Sequence, residues 1–121
     1  MLNLDTHILV FALTGALNEW EQRLLSRNPW SISAIVLWEL SKLVQLGRID
    51  VDLGQPKVER VLRRIRAWPL TLEICRRSCH LDISSDPADG LIAATSVVEN
   101  IPLITRDHAL LSSKMIPFPV V

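Results

Sequence analysis

Four carboxylic acids stand at positions in this sequence from which they could act together. Asp5 and Asp107 each follow a short apolar run of the kind that forms a buried strand. Asp89 lies in the first turn of a predicted helix, and Glu39 interrupts an otherwise apolar helical segment. Clustered carboxylates repel one another and are costly to bury unless a cation neutralises them, and hard divalent cations take oxygen ligands. These positions therefore predict a site for Mg²⁺ or Mn²⁺.

Each acid also has a purely structural interpretation. Asp5 and Asp107 could cap the helices that follow them, because an aspartate oxygen accepts hydrogen bonds from the free N–H groups of a helix start. Asp89 could favour the dipole of its helix, and Glu39 could be a solvated helix residue. These alternatives stay open for each acid taken singly, but four such acids in one chain favour the metal site.

The elements that must position these acids alternate between strands and helices. The predicted strands span Leu2–Leu4, Trp30–Ser33, 70–72 and 102–105, with a fifth, edge strand at 116–120. The predicted helices span 6–13, 17–26, 34–46, 57–68, 73–81, Pro87–Glu99 and 108–113. This alternation predicts an α/β fold in which a mostly parallel sheet of four or five strands is flanked by helices. Ligands of such sheets bind beyond the carboxyl ends of the strands, where Asp5 and Asp107 are expected.

The composition is that of one globular domain spanning residues 1–121. Of the 121 residues, 49% are hydrophobic and 21% charged, which excludes a disordered tail or linker. No apolar run approaches the roughly 18 residues that cross a bilayer. No basic region precedes an apolar stretch at the N-terminus, as it would in a signal peptide. We therefore expect a cytoplasmic protein without membrane contact.

The overall charge gives no argument for a nucleic-acid partner, but its distribution does. Basic and acidic residues number 13 each, so no general positive field attracts phosphates. Arg60, Arg63 and Arg64 nevertheless share one face of a predicted helix. This cluster is compatible with contact to an RNA backbone and equally with a solvated helix face beside Glu59.

Four segments of the chain resemble one protein family. They are Leu-Asp-Thr-His at 4–7, Ser-Ala-Ile-Val-Leu-Trp-Glu-Leu at 33–40, Asp-Pro-Ala-Asp-Gly-Leu-Ile-Ala-Ala-Thr at 86–95 and Leu-Ile-Thr-Arg-Asp at 103–107. In this order and spacing they are similar to PIN-domain ribonucleases, and most of all to the VapC-type toxins of bacterial toxin–antitoxin pairs. The resemblance implies a single PIN-like domain with the activity of a metal-dependent endoribonuclease. It also implies an RNA substrate, a cognate antitoxin and a homodimer, for which Trp20 and Trp38 are candidate contact residues.

The resemblance also assigns roles to individual residues. It implies that one quartet of acids carries both catalysis and metal binding, namely Asp5, Glu39, Asp89 and Asp107. Thr105 matches a hydroxyl that precedes the last acid and supports the metal or its water. Asp86 matches a further acid of this subgroup, although we interpret it as a helix cap. His7 belongs to a common variant of the first segment and is interpreted as helix structure.

Two departures from the family pattern suggest an alternative function. Gly90 stands where the family usually has an arginine directly after the third acid, and the tail at 117–121 is rich in proline for a closing strand. A catalytically impaired PIN-like module that binds antitoxin or RNA is therefore the main alternative. A DNA endonuclease is a second, because a metal acts on the phosphate and not on the sugar. A phosphatase or phosphorelay receiver is a third, but it needs adjacent acids near the first strand.

Overall fold

A four-stranded sheet lies at the centre of the protein, and the computed structural model describes it together with the rest of residues 1–120. The strands are β1 (Leu2–Leu4), β2 (Trp30–Ser33), β3 (Arg66–Trp68) and β4 (Leu103–Ile104). They lie in the order β3-β2-β1-β4, and every neighbouring pair is parallel. The predicted α/β fold with a mostly parallel sheet flanked by helices is confirmed, with four strands.

Helices make every connection between the strands of residues 1–120. They are α1 (Thr6–Thr14), α2 (Glu19–Arg27), α3 (Ala34–Gln45), α4 (Pro56–Arg64), α5 (Leu72–Ser78), α6 (Pro87–Glu99) and α7 (His108–Leu111). Two helices lie between each strand and the next along the chain, and α7 follows β4. Such crossovers are what parallel pairing requires. None of the helices in this range is long and apolar enough to cross a bilayer.

The strand order creates a crevice between β1 and β4. The chain runs from β1 to β2 to β3 in one direction and then returns to the other side of β1. Open parallel sheets bind ligands at such a reversal, beyond the carboxyl ends of the strands. Asp5 follows β1 directly and Thr105 follows β4 directly. The two segments that flank the crevice thus carry candidate site residues at their ends.

The central strand is joined to α6 by a buried polar side chain. All three residues of β1 are buried, and the middle one is Asn3. Its amide nitrogen donates to the carbonyl of Ile92 at 3.1 Å and to the hydroxyl of Ser96 at 2.9 Å. Hydrogen bonds between buried groups have defined geometry, so they fix the position of α6 along β1. The acid that follows β1 and the acid in the first turn of α6 are therefore held in register.

Helix α6 has well-defined ends. Pro87 is its first residue and Asp86 its N-cap, the arrangement predicted from the sequence. At the other end Asn100 adopts a left-handed conformation with φ 52° and ψ 51°, and its N–H donates to the carbonyl of Ser96. Asparagine tolerates this conformation better than most residues with a side chain, which is why the helix ends there.

The third strand lies earlier in the chain than predicted. The prediction of a strand at 70–72 is wrong, because Thr71 instead caps α5 and the strand forms at Arg66–Trp68. Ile65 completes the apolar stripe of the preceding helical pattern, but its backbone is extended, with ψ 131°. Helical periodicity alone cannot show that the last apolar residue of a stripe has left the helix. Pro69 consequently ends a strand and not a helix.

The predicted edge strand at 116–120 is also wrong. This segment approaches β4 through a backbone hydrogen bond of 2.9 Å from Leu103 N–H to the carbonyl of Pro117, without forming a strand. Pro117 and Pro119 have no N–H group, so they cannot extend a ladder of hydrogen bonds. Residue 121, the end of the proline-rich tail, lies outside the described residues.

The left-handed end of α6 makes a prediction about stability. We expect Asn100→Ala to lower the free energy of unfolding by about 1 kcal/mol, because a Cβ-bearing residue without a polar side chain is disfavoured at positive φ. Asn100→Gly should leave stability unchanged or raise it. The measurement is urea unfolding, with Glu99→Ala at the exposed neighbouring position as the control. Equal stability of the alanine and glycine variants would contradict the prediction.

Candidate active site

Asp5 is the most buried acid of the predicted quartet, with 4% of its surface exposed. One carboxylate oxygen accepts the N–H of Thr6 at 2.8 Å, which makes Asp5 the N-cap of α1. The other oxygen accepts the hydroxyl of Thr105 at 2.6 Å. Burial raises the pKa of Asp5, while these two hydrogen bonds and the charge of His7 oppose the rise. The carboxylate is thus fixed in position from both sides.

Thr105 joins two of the predicted acids. Its hydroxyl donates to Asp5 and accepts the N–H of Asp107 at 3.0 Å. Asp107 is exposed and caps α7, where its Oδ1 atom accepts from Ala109 N–H at 2.8 Å and from Leu110 N–H at 3.3 Å. The capping role of Asp5 and Asp107 is therefore compatible with the functional interpretation, because a capping carboxylate retains lone pairs for a further ligand.

Asp89 and Glu39 complete the group from two other helices. Asp89 lies in the first turn of α6, and burial raises its pKa to about 6, with smaller contributions from the charges of Asp5, Glu39, Asp107 and Asp86. Glu39, in α3, accepts the hydroxyl of Thr6 at 2.5 Å. The four acids of the predicted quartet therefore lie within electrostatic reach of one another, although they come from four different segments of the chain.

An open cavity of about 280 Å³ lies where these acids meet. Its walls are formed by Asp5, His7, Phe11, Asp89, Arg106 and Asp107. Glu39 stands beside the cavity and not in its wall. His7, which the sequence indicated only as helix structure, is exposed and contributes its ring to the wall. Three carboxylates of the predicted quartet thus face one space at the crevice between β1 and β4.

The donor set fits a hard divalent cation. Within residues 1–120, no group of three or more His, Cys, Asp or Glu side chains is arranged so that it could hold a metal ion. Mg²⁺ does not need three protein side chains, because it is usually held by one or two carboxylates and keeps several waters. Burial raises the pKa of Asp89 most, and the neighbouring acids add to the rise, so a cation beside this carboxyl would favour its charged form.

Sequence reasoning missed two residues of the cavity wall, Phe11 and Arg106, of which Arg106 is charged. Its guanidinium donates from Nε and Nη2 to the two carboxylate oxygens of Glu21, at 2.8 and 2.6 Å. Glu21 is 2% exposed and belongs to the capping box that starts α2 with Asn18. The hydrogen bonds from Arg106 lower the pKa of Glu21. The capping box is visible in the sequence, but no local pattern indicates that its glutamate pairs with a residue so far along the chain.

The residues around Asp89 differ in part from the expectation. Asp86 occupies the N-cap position of α6, but its exposed side chain accepts no capping hydrogen bond within the described residues. Gly90 is buried, and a Cβ atom placed on it would lie 3.2 Å from the hydroxyl oxygen of Ser85 and 3.8 Å from the carbonyl of Ser78. An arginine at this position would therefore have to displace Ser85.

The predicted basic cluster lies away from these acids. Arg60, Arg63 and Arg64 are exposed on α4, and Arg63 pairs with Glu59 at 2.6 Å. Arg64 lines a groove together with Trp30, which begins β2. All strands of this parallel sheet begin on the same side, and the cavity lies on the opposite side, beyond their carboxyl ends. RNA binding by this cluster stays a prediction, and it would take place away from the carboxylates.

Comparison with known proteins agrees with this architecture. The model of the PIN domain family matches residues 3–113. Comparison with curated proteins gives no match. Among solved structures, the chain is similar to VapBC2 from Rickettsia felis bound to a DNA fragment from their promoter, with 22% identity, a TM-score of 0.74 and coverage of 98% of both chains.

Two further structures share the fold. FitAcB from Neisseria gonorrhoeae is 23% identical, with a TM-score of 0.67 and coverage of 98% of this chain and 97% of that one. A toxin–antitoxin complex from Klebsiella pneumoniae is 20% identical, with a TM-score of 0.71 and coverage of 93% and 91%. These likenesses concern the fold, whereas the family match covers the segments that carry all four acids. The protein therefore belongs to the PIN domain family, whose members are generally metal-dependent nucleases.

Proposed function

We propose that this protein is a metal-dependent endoribonuclease and the toxin of a toxin–antitoxin pair. The observation that carries the proposal is the cavity at the crevice between β1 and β4, where Asp5, Asp89 and Asp107 face one space. The match to the PIN domain family supports nuclease chemistry at this place. The similarity to a toxin–antitoxin complex from Klebsiella pneumoniae and to VapBC2 from Rickettsia felis supports the biological setting.

The ion that the acids would hold is Mg²⁺ or Mn²⁺. Asp5, Asp89 and Asp107 would hold it from the wall of the cavity, with Glu39 beside them. When bound, such an ion stabilises the negative charge that develops on a phosphodiester during hydrolysis and lowers the pKa of a bound water. Carboxylate oxygens suit both ions, so the donor set does not choose between them.

The chain's own residues prepare the carboxylates for this role. The hydroxyl of Thr105 and the N–H of Thr6 both donate to Asp5, and hydrogen bonds to a carboxylate favour its charged form. Thr6 also donates its hydroxyl to Glu39, so one residue orients two acids. Asp107 uses Oδ1 for capping, which leaves Oδ2 for a ligand. These contacts hold the carboxylates in place at a site that also stays open to water and substrate.

Two exposed apolar residues of the helix that carries Glu39 are the proposed contact for an antitoxin. Trp38 is 57% exposed and Leu37 39% exposed, and they directly precede Glu39 in α3. Aromatic residues are enriched in protein interfaces, and a large exposed apolar surface needs a partner. A bound antitoxin segment at Trp38 would lie on the same helix as Glu39, which forms none of the cavity wall but accepts a hydrogen bond from Thr6 beside Asp5. We further propose a cytoplasmic homodimer, in accordance with the family resemblance.

A catalytically impaired module is the second candidate. Gly90 is the observation that favours it, because it stands where the family usually has an arginine, and a Cβ atom at this position would lie 3.2 Å from the hydroxyl oxygen of Ser85. Such a protein would retain antitoxin or RNA binding through the same surfaces. Arg60 and Arg64 would then serve as phosphate contacts at the far end of the sheet. The two candidates differ in one observable, which is cleavage.

The cleavage test uses purified protein freed of any antitoxin. It is incubated with labelled RNA and labelled DNA in Mg²⁺, in Mn²⁺ or in EDTA. We expect RNA to be cleaved with either ion and left intact in EDTA. Cleavage of DNA with RNA left intact would contradict the proposed substrate, and intact RNA under every condition would favour the impaired module.

Asp5→Asn is expected to reduce RNA cleavage by about 100-fold or more, because it removes a buried charge that would hold the ion. Asparagine is also a good N-cap, so the melting temperature should change little. Asp50→Asn, at an exposed loop position, is the matched control and should cleave as the wild type does. Full activity of Asp5→Asn would show that the assignment of this carboxylate is wrong.

The raised pKa of Asp89 predicts how stability depends on pH in the metal-free protein. A carboxyl with a pKa of about 6 in the folded chain, against 3.8 as its ordinary value, binds its proton more tightly when folded. Protonation of Asp89 therefore stabilises the fold. This contribution is fully present below about pH 4 and is lost as the pH rises through about 6.

We accordingly expect the melting temperature of the wild type to fall relative to that of Asp89→Asn as the pH rises from about 4 to about 7. Adding Mg²⁺ at the upper end should raise the melting temperature of the wild type more than that of the variant, since the ion replaces the lost proton. Asp50→Asn is again the control. A difference between wild type and Asp89→Asn that is the same at every pH would contradict the prediction.

Trp38→Ala tests the proposed antitoxin surface. The protein is co-expressed with the product of the adjoining reading frame, and the affinity of the purified pair is measured. We expect Trp38→Ala to weaken binding by about 10-fold or more, because exposed aromatics dominate such interfaces. Leu46→Ala, at an exposed apolar residue near the other end of α3, is the control and should bind normally. Equal affinity of Trp38→Ala and the wild type would remove this surface from the proposal.

A further inference from the structure

Arg106 is held in an unusually fixed position for a side chain that is 42% exposed. Nε and Nη2 form a two-point contact with the carboxylate of Glu21, and Nη2 also donates to the carbonyl of Ala16 at 3.2 Å. The guanidinium lies over the ring of Phe11, 4.0 Å from its centroid. A planar guanidinium held at an edge and at a face cannot sample many rotamers.

One nitrogen of this guanidinium is left for a ligand. Within residues 1–120, Nη1 of Arg106 donates no hydrogen bond. Arg106 also forms no ion pair with Asp5, Asp89 or Asp107, although all four residues line the same cavity. An arginine beside three carboxylates would ordinarily fold onto one of them. The buried carboxylate of Glu21 prevents this by holding the guanidinium where it is.

The cavity needs a positive group if an anionic substrate is to enter it. Its carboxylates repel a phosphodiester, and an ion bound among them would act on the scissile group alone. Arg106 is the one permanently charged cation in the wall of this cavity within the described residues. Arginine is suited to phosphate recognition because its N–H groups match the spacing of two phosphate oxygens.

We propose that Arg106 binds a backbone phosphate of the nucleic acid next to the scissile bond, and that Glu21 is the residue that positions it. This inference rests on the proposed function, since it names a substrate contact of the same site. The phosphate contact aligns the strand over the carboxylates, and Phe11 supports the guanidinium from below. The sequence indicated neither Arg106 nor Glu21 as functional.

A purely structural role makes a different prediction. The pair of Glu21 and Arg106 joins the start of α2 to the loop after β4, so removing Arg106 alone leaves a buried carboxylate unpaired and destabilises the fold. The double variant Glu21→Gln with Arg106→Gln avoids this problem, because it removes both charges. Glutamine at position 21 also preserves the capping box. A structural role predicts that this variant binds substrate as the wild type does.

The experiment measures KM, kcat and the salt dependence of cleavage of a labelled single-stranded RNA. We expect the double variant to raise KM by about 10-fold with a smaller change in kcat. The slope of log affinity against log salt should become shallower by about one, which corresponds to the loss of one phosphate contact. Arg106→Lys, which keeps the charge but loses the planar fork, should give an intermediate KM. Arg48→Gln, at an exposed arginine beyond the far end of α3, should behave as the wild type.

The outcomes separate this inference from the proposed function. If the wild type cleaves RNA and the folded double variant has the same KM and salt slope, the inference is wrong and the proposed function stands. If the wild type does not cleave, direct binding of the same RNA is measured instead. Weaker binding and a lower salt slope in the variants then support the phosphate contact of Arg106, although the nuclease proposal has failed. Unchanged or absent binding overturns the inference about Arg106. If the double variant does not fold, a KM of Arg106→Lys equal to that of the wild type overturns the inference.

Discussion

The burial of carboxylates close to one another at one edge of the sheet is the constraint on which the rest of this structure depends. Burial and the neighbouring acids raise the pKa of Asp89 to about 6, so the charged form of this group is disfavoured in the protein without an ion. A fold keeps such an arrangement only where surrounding contacts prevent the acids from moving apart. Here those contacts are the hydroxyls of Thr6 and Thr105, which donate to Glu39 and Asp5.

The same side chains serve the fold and the site. Asp5 and Asp107 cap the helices that follow β1 and β4, and capping is what orients their carboxylates toward the crevice. Asn3 joins β1 to α6 and thereby sets the position of Asp89 relative to Asp5. The structural and functional interpretations of these acids are therefore not alternatives. A helix N-terminus at the end of a parallel strand both needs an acceptor and faces the place where ligands bind.

The sequence allowed the fold class, the first two strands and helix α6 to be predicted, because each is marked by a local signal such as Pro87 behind Asp86. It failed at β3, where the apolar stripe of α4 extends through Ile65 into a strand and no breaker separates them. Proximity of the acids followed from topology, since strand ends of a parallel sheet share an edge. The pairing of Glu21 with Arg106 could not be predicted, because it depends on the packing of α2 against a loop far away in sequence.

Gly90 shows how a departure from a family pattern can be coupled to local packing. Glycine weakens a helix interior by about 1 kcal/mol relative to alanine, so its presence in the second turn of α6 needs a reason. The reason is the close approach of Ser85 and Ser78, which a Cβ atom would contact at 3.2 and 3.8 Å. An arginine at this position would need the side chain of Ser85 to give way, because the hydroxyl oxygen of Ser85 is the nearest atom.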